Sequence, residues 1–171
     1  SNLESAVQDA SDLAVVLGQQ FGFETRTLLN ATREEILETL NDYRFALEEE
    51  DNFFLFYAGH GTYDDETDEG FWQPVDAGET DSNWISNDRI TRTLRGFKSR
   101  NVMVVADSCY SGVVFRDDMN RQHISDHTNV DFLRQMLERK TRVAITSGGL
   151  EPVVDRLPGT KNSIFTGALI A

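Results

Sequence analysis

Two residues in this 171-residue chain have the types and surroundings of a nucleophile and its base: Cys109, the only cysteine, and His60, one of three histidines. A thiol with a pKa of about 8.5 is only a few per cent ionised at neutral pH, so attack on a carbonyl needs a general base or a cationic neighbour. His60 is the available base. It stands in Ala58-Gly59-His60-Gly61 and Cys109 in Asp107-Ser108-Cys109, each directly behind an apolar run. The glycines leave backbone free to approach a substrate, and the amides of Gly61 and Cys109 would bind the oxyanion of a tetrahedral intermediate. A lone cysteine after an apolar strand is commonly a buried small hydrophobe, and a lone histidine a satisfied loop or core residue. Occurring together, each at the end of a buried run and beside glycine-rich sequence, the two point to chemistry.

A sheet must hold these two side chains. Positions 102–106 and 53–57 are short, apolar runs rich in β-branched or aromatic residues, the signature of strands buried on both faces of a parallel sheet. The carboxyl edge of such a sheet is where ligands and chemistry are found. Positions 3–20 carry Leu3, Val7, Ala10, Leu13, Ala14 and Leu17 at helical steps, and Gly22 ends that helix. Positions 23–29 alternate loosely, with Phe23, Thr25, Thr27 and Leu29 on one side, and predict a strand nearer an edge. Thr32 with Glu35 is a capping box for a second helix that buries Ile36, Leu37, Leu40 and Leu47. Ser86 caps a third, with an Ile85 to Ile90 staple and Ile90, Leu94 and Phe97 facing inward. The order α, β, α, β demands parallel strands joined by right-handed crossovers. Positions 113–128 form a long polar connection, and 131–140 a helix burying Phe132, Leu133, Met136 and Leu137. Positions 142–146 are another buried strand, ending in Ser147-Gly148-Gly149; 151–161 form a loop, and Ser163 caps a last helix. No repeat, low-complexity tract or second domain is visible.

At 39% hydrophobic residues the chain can bury one core. No run approaches the roughly 18 apolar residues of a membrane span, and no secretory signal opens the chain. A single cysteine forms no internal disulfide, which fits a reducing, cytoplasmic compartment or a thiol kept for chemistry. The net charge of −13 argues against nucleic acid or anionic membrane as partner and suits a cationic one, such as a segment rich in arginine or lysine, although most of these charges simply keep the chain soluble. Positions 64–70 hold five acids in seven residues, but EF-hand spacing fails: Gly70 is at the seventh place and Val75 stands where the bidentate glutamate belongs. The stretch reads as a solvated acidic loop. His123 and His127, four apart with no third ligand, read as loop residues, so no metal is assigned.

Tyr57-Ala58-Gly59-His60-Gly61 and Asp107-Ser108-Cys109-Tyr110-Ser111-Gly112 resemble the histidine and cysteine boxes of the caspase-like cysteine proteases, in particular bacterial caspase homologues and metacaspases. Trp72-Gln73-Pro74-Val75-Asp76, Trp84-Ile85-Ser86 and Thr146-Ser147-Gly148-Gly149 are similar to bacterial members too, so the likeness covers nearly the whole chain. The resemblance implies a three-layer α/β/α sandwich around a mostly parallel sheet. It divides 1–171 into a part like the large subunit up to about 112, an exposed connection to about 141, and a truncated part like the small subunit. The family's first strand, which precedes the first helix, is absent from this chain and is expected on a separate or preceding segment. The resemblance further implies Cys109 as nucleophile, His60 as base and acid, and peptide-bond hydrolysis without a cofactor, a calcium requirement being undecided.

The aspartate-specific caspases have glutamine two places before the nucleophile, and metacaspases have an aspartate that lines the primary pocket; here that residue is Asp107. A carboxylate at the base of a pocket prefers arginine or lysine, because a cation supplies the partner that desolvation demands. Asp107 as a loop carboxylate capping neighbouring amides is the open alternative. The resemblance adds Ala58, where some metacaspases have serine, and Ser147 to the substrate-binding residues. Self-processing in the connection would fall at Arg116, Arg121, Arg134, Arg139 or Lys140. The expected partner is thus a protein or peptide substrate with basic residues, with further domains also possible. The competing readings are a silent caspase-like interaction module and a protease of non-basic specificity.

Overall fold

The computed structural model describes residues 5–108, 140–147 and 159–171. Helix α1 (Ala6–Phe21) ends where Gly22 adopts a left-handed conformation (φ 73°) and its N–H returns to the Leu17 carbonyl. Helix α2 (Arg33–Ala46) opens on the predicted capping box: the Thr32 hydroxyl accepts from Glu35 N–H, and the Glu35 carboxylate accepts from Thr32 N–H at 2.8 Å. Strand β1 (Asn52–Ala58) follows, then β2 (His60–Asp64), β3 (Glu69–Gln73) and the short β4 (Ile85–Ser86). Helix α3 (Asn87–Arg95) is capped by Ser86, which accepts from Arg89 N–H, as predicted. Strands β5 (Asn101–Asp107) and β6 (Thr141–Thr146) complete the sheet, and α4 (Ile164–Ile170) is capped by Ser163.

Strands β1, β5 and β6 form a parallel sheet in that order. Side chains alternate across it. Phe53, Val102, Val104 and Ala106 bury one face, with Leu55 and Tyr57, against Leu40 of α2 and Ile90, Leu94 and Phe97 beside or on α3. The other face presents Phe54, Met103 and Val105 towards the α1 side, where Leu13 is buried and α1 packs on both β1 and α4. Helices therefore lie on both faces of the parallel sheet, the layering expected from the α, β, α, β order.

Two features depart from the sequence reading. The strand expected at 23–29 makes no ladder among the described residues; Phe23 packs edge-on against Phe54 and is half-buried, while Leu28 and Leu29 remain exposed, so the alternation there buries none of its apolar members fully. The second is a gain: β2, β3 and β4 make a small antiparallel sheet that no periodicity in the sequence announced. The acidic stretch is the turn of its hairpin. Asp64 closes that turn by accepting from Glu66 N–H at 2.9 Å, and Asp68 takes the left-handed conformation (φ 55°) that aspartate tolerates well. Residues 65–68 are exposed, as a solvated loop requires. Of the helix expected at 131–140 only Lys140 is described, and it is not helical; positions 131–139 and both loop histidines lie outside the described residues. No helix among the described residues is long and apolar enough to cross a membrane.

Candidate active site

The three parallel strands end level with one another. Ala58 is the register partner of Asp107, and Tyr57 lies beside Ala106, itself paired with Thr146. Beyond that row, Gly59 N–H donates to the Asp107 carbonyl at 3.3 Å and Ser147 N–H to the Ala106 carbonyl at 3.0 Å. His60, Asp107, Ser108 and Ser147 thus leave the sheet at a single carboxyl edge, with Gly61 following His60 into β2. Ser108, which precedes Cys109 in the chain, is 4% exposed. Cys109 itself, with Arg116, Arg121, Arg134 and Arg139, lies outside the described residues. Lys140 stands apart from this edge. It precedes β6 at the amino end of the sheet, where its ammonium donates to the Phe97 carbonyl at 2.9 Å. A strand rise of about 3.3 Å per residue puts it roughly 20 Å from the carboxyl edge.

Asp107 and Ala58 share the face that looks towards α1 and α4. One oxygen of Asp107, Oδ2, accepts from the Ser163 hydroxyl and from Thr166 Oγ1 at 2.9 Å. Its Oδ1 takes no hydrogen bond among the described residues. Ser163 joins this carboxylate to a second one: its backbone N–H donates to Asp9 Oδ1 at 3.1 Å. Asp9 is only 1% exposed. Burial pushes its carboxyl above the ordinary range, bonds from Asn162, Ser163 and Ser5 pull it partly back, and the negative charge of Asp107 pushes it further up. Sequence reasoning missed Asp9. The signal was present, because Asp9 stands four residues before Leu13 on the stripe that α1 turns inward, an odd place for an unpaired acid.

On the other face, Tyr57 reaches under the histidine loop. Its hydroxyl donates to the His60 carbonyl at 2.8 Å and lies 3.3 Å from the Gln73 carbonyl. Its ring stacks on Trp72 with centroids 4.1 Å apart and planes 1° from parallel. A Cβ at Gly59 would meet Tyr57 Oη at 2.6 Å, so only glycine fits between the two residues. Enclosure of the hydroxyl drives the phenol's pKa far above its ordinary value. Ser147 Oγ is buried and without a hydrogen-bond partner among the described residues. Among those same residues, no group of three or more His, Cys, Asp or Glu side chains is arranged to hold a metal ion.

A family model for the caspase domain matches residues 1–171. The crystal structure of a protein from Geobacter sulfurreducens superposes with a TM-score of 0.67 at 25% identity, covering 99% of this chain and 72% of that one. No curated protein matches the sequence significantly.

Proposed function

The chain belongs to the caspase-domain family, and on that premise we propose that it is a cysteine endopeptidase that cleaves after arginine or lysine with a Cys109–His60 dyad. The observation that carries the reading is the level ending of β1 and β5, where the register pair Ala58 and Asp107 stands beside His60 and beside the residue preceding Cys109.

His60 takes the thiol proton and the thiolate sulfur attacks the scissile carbonyl carbon. The oxyanion that forms is held by the amides of Gly61 and Cys109. His60 then gives its proton to the departing amine, which leaves the acyl group on sulfur. Water, deprotonated by the same imidazole, attacks the thioester and frees the enzyme. Residues of the chain are sufficient for each step, so the reading includes no cofactor.

The specificity half of the proposal is supported by the acid pair. Asp107 offers Oδ1 to a substrate cation, while Asp9, buried behind Ser163, places a second carboxyl on the same wall. Ala58 beside Asp107 keeps the pocket open, and the buried hydroxyl of Ser147 suits a substrate backbone. A basic segment is also the natural partner for a chain of net charge −13. Self-processing, where it occurs, uses Arg116, Arg121, Arg134 or Arg139; Lys140, tied at the amino edge, needs another molecule or a rearrangement to be cut.

The test is hydrolysis of fluorogenic peptides ending in arginine, lysine or aspartate, beside Cys109→Ala, with intact mass followed on prolonged incubation. Cleavage after arginine and lysine that disappears with Cys109→Ala supports the reading, and cleavage after aspartate alone overturns its specificity. Hydrolysis of none, with or without calcium, turns the assignment to a binding module.

A further inference from the structure

The hydroxyl of Tyr57 is aimed at the backbone of the catalytic loop and not at any side chain. It meets the carbonyls of His60 and Gln73, which are cross-strand partners in the β2–β3 ladder. The bond to the His60 carbonyl has the shorter reach, 2.8 Å against 3.3 Å, so the single phenolic proton belongs mainly to His60. That carbonyl is one half of the peptide joining His60 to Gly61. The peptide is planar and trans, so its C=O and its N–H point in opposite directions, and fixing one fixes the other. The N–H in question is that of Gly61, the donor to the oxyanion in the reading above.

We propose that Tyr57 is a positioning residue for the oxyanion hole: by holding the His60 carbonyl it sets the plane of the His60–Gly61 peptide and so aims the Gly61 N–H. The inference rests on the peptidase reading and extends it to a residue outside the dyad. The ring is itself held on two sides. Trp72, 2% exposed and the cross-strand partner of Gly61, lies flat against one face, and the backbone of Gly59 closes over the hydroxyl so tightly that a methyl group there would overlap it. A hydroxyl so fixed gives the peptide little freedom to rotate, which is the preorganisation that electrostatic stabilisation of a transition state requires. The phenol stays protonated throughout the working pH range, because enclosure raises its pKa, so the donor is permanent.

Tyr57→Phe removes the donor and leaves the ring, its stack and its volume. Loss of a whole oxyanion donor costs about a hundredfold to a thousandfold in kcat, so misaiming one should cost about tenfold or more. The expected result is that fall in kcat on an arginine peptide, with KM within twofold of wild type. Binding of a peptide aldehyde, whose thiohemiacetal oxygen uses the same hole, should weaken in step with kcat/KM. Alkylation of Cys109 by iodoacetamide, a displacement that forms no oxyanion, should keep its rate and its pH profile. A wild-type kcat in Tyr57→Phe overturns the proposal, as does a loss of alkylation rate parallel to the loss of kcat, which would locate the damage in the dyad. Wild-type protein that hydrolyses no peptide overturns the peptidase reading and the donor's role with it. That outcome is distinct from an active wild type matched by its Tyr57→Phe variant.

Discussion

Replacing Asp107 by asparagine separates the charge of this residue from its shape. The variant keeps an oxygen for the hydroxyls of Ser163 and Thr166, which can turn to accept from an amide where they now donate to a carboxylate. What disappears is the negative charge that, on the proposed reading, Oδ1 presents to a substrate cation. A hydrogen bond to a charged group contributes about 1.5–3 kcal/mol, and with about 1.4 kcal/mol for each factor of ten the expected loss in kcat/KM on an arginine peptide is about tenfold to a hundredfold. A citrulline peptide has the same outline as arginine without the charge, and its much slower hydrolysis should change less than about threefold, since no ion pair is lost. The assay is therefore the arginine-to-citrulline ratio of kcat/KM, measured for wild type and Asp107→Asn with melting temperature as a control. A collapse of that ratio with little change in melting is the expected outcome. If both peptides slow together and the melting temperature falls, Asp107 is a strut for α4 and the specificity argument is wrong. If neither changes, the carboxylate faces away from the substrate.

Asp9 should reveal itself through pH. Its pKa is raised in the folded protein, so the stabilisation from this group is fully present below the ordinary aspartate value of 3.8 and is lost as pH rises through the raised value. Asp9→Asn removes the titration, so wild type should lose melting temperature relative to the variant as pH rises above the ordinary aspartate value through the raised one, and a constant difference from acid to neutral pH refutes the assignment. Arg142 is predicted to be structural. Its guanidinium donates to the carbonyls of Arg100 at 2.8 Å and Ser99 at 2.9 Å and is partly desolvated, so Arg142→Ala should destabilise by about 2 kcal/mol in urea unfolding, with little effect on KM. Arg142→Lys should rescue only part of that loss, because one ammonium cannot match the fork of the guanidinium.

The strands that lead to His60 and towards Cys109 were legible because two short runs of apolar residues leave little choice. Val102, Val104, Val105 and Ala106 are all buried in the structure, and a strand covered on both faces needs no polar alternation to confuse the pattern. Caps were legible for a similar reason: Thr32, Ser86 and Ser163 each announce a helix by a local bond, and a local bond needs no knowledge of distant partners. The β2–β3 hairpin was hidden because its turn is acidic and its strands are mixed in polarity, Gly70 and Trp72 alone being buried in β3. At 23–29 the failure ran the other way. The alternation was present, but a strand is made by a neighbour, and which strands become neighbours is decided by tertiary structure. Asp9 stands between the two: its place on the inward stripe of α1 marks a buried acid, but its partner Ser163 lies 154 positions away and nothing local connects the two.

That long-range bond ties the proposed specificity to the fold. Ser163 caps α4 through its hydroxyl, holds Asp107 with the same group, and gives its N–H to Asp9 on α1. Two carboxylates therefore share one bridging residue, and the repulsion between them is part of what lifts the Asp9 pKa. A lysine or arginine side chain entering beside Asp107 brings the charge that the pair lacks. Its positive charge opposes the upward push that burial and the neighbouring Asp107 exert on the Asp9 carboxyl. An aspartate side chain brings negative charge to the same wall and reinforces that push. On the proposed reading the pocket prefers a basic side chain because cationic charge offsets the acids gathered on this wall, and an acidic one adds to them.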